Sequence, residues 1–599
     1  MPSVRAAYRE NSVMKTVRTL CCALRLLSTV ATVAAPIAMT STVIVACDDE
    51  NDPKTWAKRL DDPVRRADAI KRLAQFYEDG MTRAGNDAAA PDIRALLDTI
   101  VEPLTKQYTG GGLDDKTRTD LMKFLAETHD GRTQPALAKA LKDFENGKTD
   151  DEVRVTCESI LAMHKAGVKL DQAVLDQLWT VFAKFKLSEA KSERLYRAMH
   201  DAIVAVHDPS WGDKAIEKLK APVLENVDSQ KDQLMWWQLT SVQVLKELGY
   251  AKAVKPLILT LLTPGKTATL GATIQFTLLK MAKEAEPELI KALTGQDPDY
   301  VKAGEGFEDK TNVGIIAEVL AQLGRPAGRD AILQVLPTAD TDTARTELAQ
   351  ALVQMPADSR VEPAFLAAYD KLTWDSTDKL LGSLSPRAAL AQQSANFYDP
   401  ALLDWLLKEI DKGDKKKAGK AGGPDPTTKL VQLEAAFKVM TDDRKSAVAD
   451  VMAKVKKEAP ADYFAMTQGM FDAANAVLAK CKTSTPCYLA SISEPIPATP
   501  ATANFRAIKA SWMAVIYGGG ASASATRADL VKRVSGVTNA GARIAVCEAI
   551  DELAPQGDDA AAAALDAVVA ADTKAGDKNL IAVDNTVAQV ALRLRWRNK

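Results

Sequence analysis

A chain of 599 residues is too long for one compact core, so it must divide into domains or grow as a stacked array. Aromatic residues make up only 6% while alanine is abundant, which favours close-packed helices over sheets. The formal net charge of −2 excludes a strongly basic protein, and we expect no nucleic-acid partner.

The first 46 residues differ from the rest of the chain. Five basic residues and one acid, Glu10, stand before residue 26, and the next charged residue is Asp48. A basic start followed by an apolar segment is typical of a secretory signal peptide. An uncharged run of this length could instead span a bilayer, although Pro36 and several Ser and Thr residues dilute it. We predict a signal peptide over 1–46, with translation starting at Met1 or at Met14.

The uncharged run ends in Ile44-Val45-Ala46-Cys47, directly before an acidic sequence. This resembles the lipobox of bacterial lipoproteins, in which the signal peptide is cleaved before a cysteine that carries lipid. The resemblance implies a lipid on Cys47, a short tether over 47–53, and anchoring to the inner or the outer membrane of a bacterial cell envelope.

Two apolar-periodic runs separated by a turn occupy residues 234–262. Apolar residues of the second run recur at i, i+3, i+4 and i+7 from Val254, which is one face of a helix. Leu248-Gly249 ends the first run, where glycine can take a positive φ. The same pattern returns around Gly324, so a repeated helix pair is the predicted unit of the fold.

Trp236 and Trp237 stand side by side in the first of these helices. Adjacent helical residues point about 100° apart. Either both rings are buried, or one packs in the core while the other lies at a seam or at a surface for a partner. We therefore treat this pair as a candidate partner contact.

Several predicted helices begin with an aspartate followed three residues later by an arginine. These starts lie at Asp62, Asp115, Asp151 and Asp342, and a looser version has Arg543 in a similar position. Aspartate is a good N-cap residue, so helix capping alone could explain the aspartates.

With segments such as DDPVRRADAIKRLA at 61–74 and LGRPAGRDAILQVL at 323–336, the chain resembles the HEAT-repeat family. The resemblance implies an all-α fold, an α-solenoid of stacked antiparallel helix pairs forming an armadillo-type superhelix. It also implies an internal Asp–Arg ladder between successive repeats, formed by Arg65, Arg118, Arg154, Arg345 and Arg543.

A lysine-, glycine- and proline-rich segment interrupts the array at 411–428. It has no apolar face and is expected to be a flexible linker, although it could be a basic contact. We divide the array there, into HEAT-like repeats over 54–410 and C-terminal HEAT-like repeats over 429–599.

Cys481 and Cys487 enclose a polar five-residue segment. In an exported protein such a pair could close a small disulfide, and reduced thiols are the alternative. Two cysteines without further ligands nearby do not indicate a zinc site. Cys157 and Cys547 lie within apolar-periodic helices and are expected to be buried.

The chain contains four histidines, and two of them form the pairs His129-Asp130 and His207-Asp208. All-helical metal phosphohydrolases use histidine and His-Asp ligands, so these pairs are the main enzyme hypothesis. Each pair, however, closes an apolar helix, a position that favours histidine without any metal.

We expect no catalytic residue, no cofactor and no bound metal. The predicted function is that of a lipid-anchored, non-catalytic scaffold that binds protein partners and touches the membrane through its lipid. The alternative is a helical metal-dependent hydrolase or a HEAT-related lyase.

Overall fold

The computed structural model describes residues 49–190, 193–221, 228–307, 311–372, 386–412, 426–495 and 501–597. Every regular element within these residues is a helix, with no β-strand, which confirms the predicted all-α fold class. The described residues form 29 α-helices: α1 (Pro53–Arg59), α2 (Arg66–Arg83), α3 (Pro91–Gly110), α4 (Asp115–Thr128), α5 (Gln134–Lys142), α6 (Asp150–Lys165), α7 (Gln172–Lys184), α8 (Glu193–Val206), α9 (Gly212–Lys220), α10 (Asp228–Leu248), α11 (Val254–Leu261), α12 (Lys266–Lys280), α13 (Ala282–Leu293), α14 (Pro298–Gly304), α15 (Thr311–Leu323), α16 (Pro326–Val335), α17 (Asp342–Val353), α18 (Val361–Asp370), α19 (Pro386–Gln393), α20 (Leu402–Asp411), α21 (Pro426–Val439), α22 (Lys445–Val455), α23 (Ala461–Cys481), α24 (Thr485–Ile492), α25 (Phe505–Gly518), α26 (Ala523–Val534), α27 (Ala540–Glu552), α28 (Asp559–Ala575) and α29 (Lys578–Trp596).

Short 3₁₀ turns accompany many of these helices, mostly just before a helix begins. They are Gly131–Thr133, Leu187–Glu189, Pro209–Trp211, Ala251–Ala253, Leu336–Thr338, Ser394–Phe397, Asp442–Arg444, Ala501–Asn504 and Gly520–Ser522.

Three of the four repeated aspartates, Asp115, Asp151 and Asp342, lie in the first helical turn rather than at the cap, whereas Asp62 lies in the turn before α2. The cap of α4 is Asp114, whose side chain accepts a hydrogen bond from the Thr117 amide, so the predicted Asp115 is already helical. Thr341 caps α17 in the same way and Asp342 follows it. A carboxylate in the first turn is favoured by the positive end of the helix dipole.

The two glycines that define the predicted repeat end their helices as the pattern predicts. Gly249 follows α10 with φ +57° and Gly324 follows α15 with φ +64°. This left-handed conformation is open to glycine at low energetic cost.

Most helices pack against the next helix but one. Helices α4, α6, α8, α10 and α12 contact each other in succession, and α3, α5 and α7 do the same in a second layer. Apolar side chains of both layers form one continuous core that runs from Leu60 to Leu594. Each pair therefore buries its apolar faces against its neighbours rather than in a core of its own.

Helical packing continues across the predicted linker. Asp411 ends α20 and Pro426 begins α21, so the ends of the predicted 411–428 segment are helical, while residues 413–425 lie outside the described part. Helix α21 contacts both α19 and α20. The repeats before and after the linker are consequently one packed array.

The final described helix returns to the middle of the chain. Helix α29 contacts α27 and α28 and also α12 and α15. A second long-range contact joins Trp512 of α25 to Ala395, whose carbonyl oxygen accepts a hydrogen bond from the indole Nε1 at 3.0 Å. The later helices therefore cover part of the array that precedes them.

Candidate functional site

A groove crosses three consecutive helices of one layer, α6, α8 and α10. Its volume is about 470 Å³ and it is open to solvent. We call it the α6–α8–α10 groove; its lining residues are Leu161, Lys165, His200, Asp201, Val204, Ala205, His207, Gln243 and Glu247. Apolar, cationic and anionic groups are mixed on this surface, as they are in interfaces between proteins.

Two titratable groups of the groove have defined ionisation states. Burial lowers the pKa of His200, whose Nδ1 lies 2.9 Å from the hydroxyl of Thr240, so the ring is neutral at pH 7. Burial also opposes ionisation of Glu247, but Lys246 and Lys280 outweigh it and hold its pKa below the ordinary value. At neutral pH the groove therefore presents a neutral imidazole beside a paired carboxylate.

The structure brings two of the four histidines together. The rings of His164 and His207 lie edge to face with their centres 6.3 Å apart, and His207 Nδ1 lies 3.1 Å from the carbonyl oxygen of Val204. The sequence alone gave no reason to pair these two residues. Their contact follows from the packing of α6 on α8.

The two His-Asp pairs have structural roles at helix ends. His129 and His207 end their helices with positive φ, +48° and +32°. Asp130 and Asp208 then cap the following 3₁₀ turns by accepting backbone hydrogen bonds at 2.9 Å. Because His129 lines a different pocket from His207, the pairs do not converge on one centre.

Among the described residues, no group of three or more His, Cys, Asp or Glu side chains is placed to hold a metal ion.

Both tryptophans of the candidate partner contact are held by α7. Trp236 is buried against the rings of Phe182 and Phe185, at centre distances of 5.0 and 5.3 Å. Trp237 is half-buried; its Nε1 donates to the Phe182 carbonyl at 2.8 Å, and the Lys218 ammonium lies 3.9 Å from its ring centre. Of the two alternatives, the structure has one ring in the core and the other at a seam between helices.

Three of the five expected ladder arginines pair locally: Arg65 with Asp62 at 3.7 Å, Arg154 with Glu158 at 2.8 Å, and Arg345 with Asp342 at 2.8 Å. Arg154 and Arg345 each reach an acid three or four residues away on the same helix face, and Arg65 reaches Asp62 in the turn before α2. A single ladder through all five arginines is therefore not formed.

The other two expected arginines do connect helices. Arg118 of α4 pairs with the buried Glu152 of α6 at 3.1 Å. Arg543 of α27, only 1% exposed, pairs with Asp572 of α28. Each of these two ion pairs connects one helix pair to the next.

Other arginines that bridge helices were missed because they follow no repeated motif. These pairs are Arg325 with Glu286 at 2.7 Å, Arg329 with Asp358 at 2.9 Å and Arg527 with Asp558 at 2.7 Å.

Two buried lysines were also missed, and each caps the C-terminal end of another helix. Lys266 donates to the carbonyl oxygens of Leu219 and Ala221 at the end of α9. Lys509 is fully buried and donates to backbone carbonyls at the end of α21. Burial lowers the pKa of both ammonium groups.

The cysteines fall into two classes. A disulfide joins Cys481, the last residue of α23, to Cys487 in the first turns of α24. Cys157 and Cys547 are free and buried, and burial raises the pKa of both thiols, that of Cys547 to about 12. Their thiols are therefore poor nucleophiles at neutral pH.

The expected lipidation site, Cys47, lies outside the described residues. In the described part of the chain, no helix combines the length and apolar character needed to cross a bilayer. No protein-family model matches the chain, and comparison with curated proteins finds no match either.

Proposed function

We propose that this chain is a lipid-anchored helical-repeat protein of the bacterial cell envelope that binds a protein partner through the α6–α8–α10 groove and catalyses no reaction. The observation that carries the proposal is the groove itself, an open surface with mixed apolar and charged side chains. Proteins built from stacked repeats use such extended surfaces for polypeptide partners.

The arrangement of the helices supports an α-solenoid of HEAT-like pairs. Most helices pack on the next but one, and the Leu-Gly helix end recurs at Gly249 and Gly324. The cross-helix pairs made by Arg118 and Arg543 support the same interpretation. The family assignment rests on these features and on the motifs quoted above.

The membrane anchor is proposed from Cys47 and its surrounding sequence. The test is metabolic labelling with a palmitate analogue, comparing the wild type with Cys47→Ser, followed by membrane fractionation. We expect labelled, membrane-bound wild type and unlabelled, soluble Cys47→Ser. A wild type that takes up no label and fractionates as soluble protein would contradict the anchor.

The groove is tested by reversing one charge on it. Lys165 is exposed on α6 and lines the groove, whereas Lys214 is exposed on α9, outside the groove. We expect Lys165→Glu to reduce several-fold the recovery of proteins cross-linked to the wild type in native membranes. Lys214→Glu, the matched control, should recover them at the wild-type level.

An equal set of cross-linked proteins at equal yield from both variants would show that the partner binds elsewhere. Circular dichroism of both variants distinguishes a lost contact from a lost fold.

A further inference from the structure

One helix, α29, closes the array by packing on helices from the middle of the chain. In an open stack of repeats, each helix contacts only its neighbours in the chain. Helix α29 contacts its neighbours α27 and α28, but its side facing the earlier array also rests on α12 and α15. Many helices lie between α15 and α29 in the chain. Helix α29 therefore joins distant repeats directly.

Arg597, directly after α29, lies at the centre of the closure. Its side chain is only 2% exposed. Its Nη1 donates to the carbonyl oxygens of Asp551 and Ala554 at 2.8 and 2.9 Å, and its Nη2 pairs with the Asp551 carboxylate at 2.9 Å. The guanidinium therefore satisfies the C-terminal end of α27, where the helix dipole is negative.

The other side of Arg597 touches the end of α15. Gly324 has no side chain, and a β-carbon built on it would lie 2.8 Å from Nε of Arg597. The same guanidinium thus stands between the C-terminal ends of two helices, α27 and α15, that belong to distant repeats. Any side chain at Gly324 must push Arg597 away from this position.

A second junction forms where α25 and α27 approach residues 395–399. The rings of Trp512 and Tyr398 stack with centres 5.1 Å apart. Beside them, a cavity of about 320 Å³ separates the two parts of the array. Its lining includes four carboxylates: Asp358, Glu362 and Asp399 on one side and Glu552 on the other.

These carboxylates make the closure sensitive to charge. Burial and the neighbouring Asp551 raise the pKa of Glu552 to about 7, against the opposing effect of Arg597. Burial and Asp399 raise the pKa of Glu362. Asp358, by contrast, is held ionised mainly by its hydrogen bonds to Arg360. The remaining charged or titratable groups around the junction are Glu548, Arg593, Lys438, Arg329 and Tyr398.

We propose that Arg597, which binds the end of α27 and packs against Gly324 at the end of α15, is a latch that keeps α29 closed against α12 and α15, and that ionisation of Glu552 in the carboxylate-lined cavity favours the open form. The proposal extends the binding function suggested above but does not depend on it. Opening would uncover the faces of α12 and α15 that α29 occupies.

The sign of the pH effect follows from linkage. A carboxyl group whose pKa is raised in the closed form, relative to about 4.3 when exposed, stabilises closure at low pH. This stabilisation is lost as the pH rises towards 7 and changes no further above it. The ratio of open to closed molecules should therefore rise up to about tenfold per pH unit across this window.

Hydrogen exchange of peptides from α29, corrected for intrinsic exchange rates, measures the opening constant even when the open form is rare. We expect α29 protection in the wild type to fall by up to about tenfold per unit from pH 5 to pH 7. In Glu552→Gln the pH dependence of α29 protection should be clearly smaller, and any dependence that remains belongs to Glu362 and Glu548, whose pKa values are also raised. Peptides from α4 and α6, far from the closure in the chain, are the internal reference.

The latch has a matched pair of variants. Gly324 and Gly249 both end a helix with positive φ, but a β-carbon at Gly249 would meet nothing within 4 Å. Both alanine variants carry the same backbone strain, and Gly324→Ala alone displaces Arg597. We expect at least tenfold lower α29 protection in Gly324→Ala and unchanged α29 protection in Gly249→Ala, with Arg597→Gln resembling Gly324→Ala.

The roles of Arg597 and of Glu552 can each be overturned by a separate result. Equal α29 protection in Gly324→Ala, Gly249→Ala and the wild type would exclude the latch. Corrected wild-type protection that stays constant between pH 5 and pH 7 would exclude the role of Glu552.

Discussion

Lys266 ties the first turn of α12 to the end of α9, because its Nζ donates a hydrogen bond to the carbonyl oxygen of Ala221 at 2.8 Å. The same ammonium donates to Leu219 at 3.1 Å, and the side chain is only 6% exposed. Gln238 of α10 donates to the same two carbonyls at 3.0 and 3.3 Å. One helix end is thus satisfied by side chains of two different helices.

Lys266→Met should keep the packing volume and remove the ammonium donors. Because Gln238 still donates to both carbonyls, we expect a loss of about 1–2 kcal/mol in the free energy of local opening at α9 and α12. Hydrogen exchange of the α9 amides measures this free energy of local opening. Lys214→Met, at an exposed position of α9, is the control and should change this value by less than about 0.5 kcal/mol.

The buried Arg543–Asp572 pair should be costly to break. Asp572→Ala leaves the guanidinium of Arg543, which is 1% exposed, without its carboxylate partner. We expect the free energy of unfolding to fall by about 3–5 kcal/mol. The exposed pair between Arg197 and Glu193 is the comparison, and Glu193→Ala should cost less than about 1 kcal/mol. Similar losses of stability in thermal unfolding of the two variants would contradict the assigned burial.

The disulfide should stabilise the turn between α23 and α24. Closing the short loop from Cys481 to Cys487 restricts the unfolded chain and contributes about 2 kcal/mol. We expect the double variant Cys481→Ser/Cys487→Ser to unfold at a lower temperature than the oxidised wild type. Thiol labelling of the denatured protein gives the redox state: among Cys157, Cys481, Cys487 and Cys547, only Cys157 and Cys547 should react before reduction.

His200 should make α8 less stable in acid. Burial lowers the pKa of His200 in the folded protein below the unfolded value of about 6.5. The contribution of the neutral ring to stability is therefore fully present above pH 6.5 and is lost as the pH falls through the folded pKa. We expect α8 protection against hydrogen exchange to decrease below pH 6.5 in the wild type, after correction for intrinsic rates. His200→Gln should reduce this dependence, and an identical pH profile in both proteins would assign it to another group.

The local features of the fold could be predicted because they depend on neighbouring residues. Apolar periodicity from Val254 predicted α11, and Leu248-Gly249 and Leu323-Gly324 predicted two helix ends correctly. The arginine ladder was predicted less well, because Arg65, Arg154 and Arg345 find acids within their own turns. Side-chain reach over three or four residues competes with contacts between repeats.

The contacts that define the candidate site depend on packing and left no local signal. Trp237 is held by the Phe182 carbonyl, a group that every residue carries, so its environment could not be read from residue types. The pairing of His164 with His207 depends on how α6 and α8 align. The contact of α29 with α12 joins helices that lie far apart in the chain, so no local sequence pattern indicates it.

The return of α29 to α12 also changes how the array should respond to damage. In a linear array, stability is approximately a sum of nearest-neighbour terms, so a weakened repeat frays locally. The contacts of α29 with α12 and α15 add a non-neighbour term that couples repeats far apart in the chain. Loss of the repeats around α12 and α15 should therefore also destabilise α29, while the helices before α12 can fray one pair at a time.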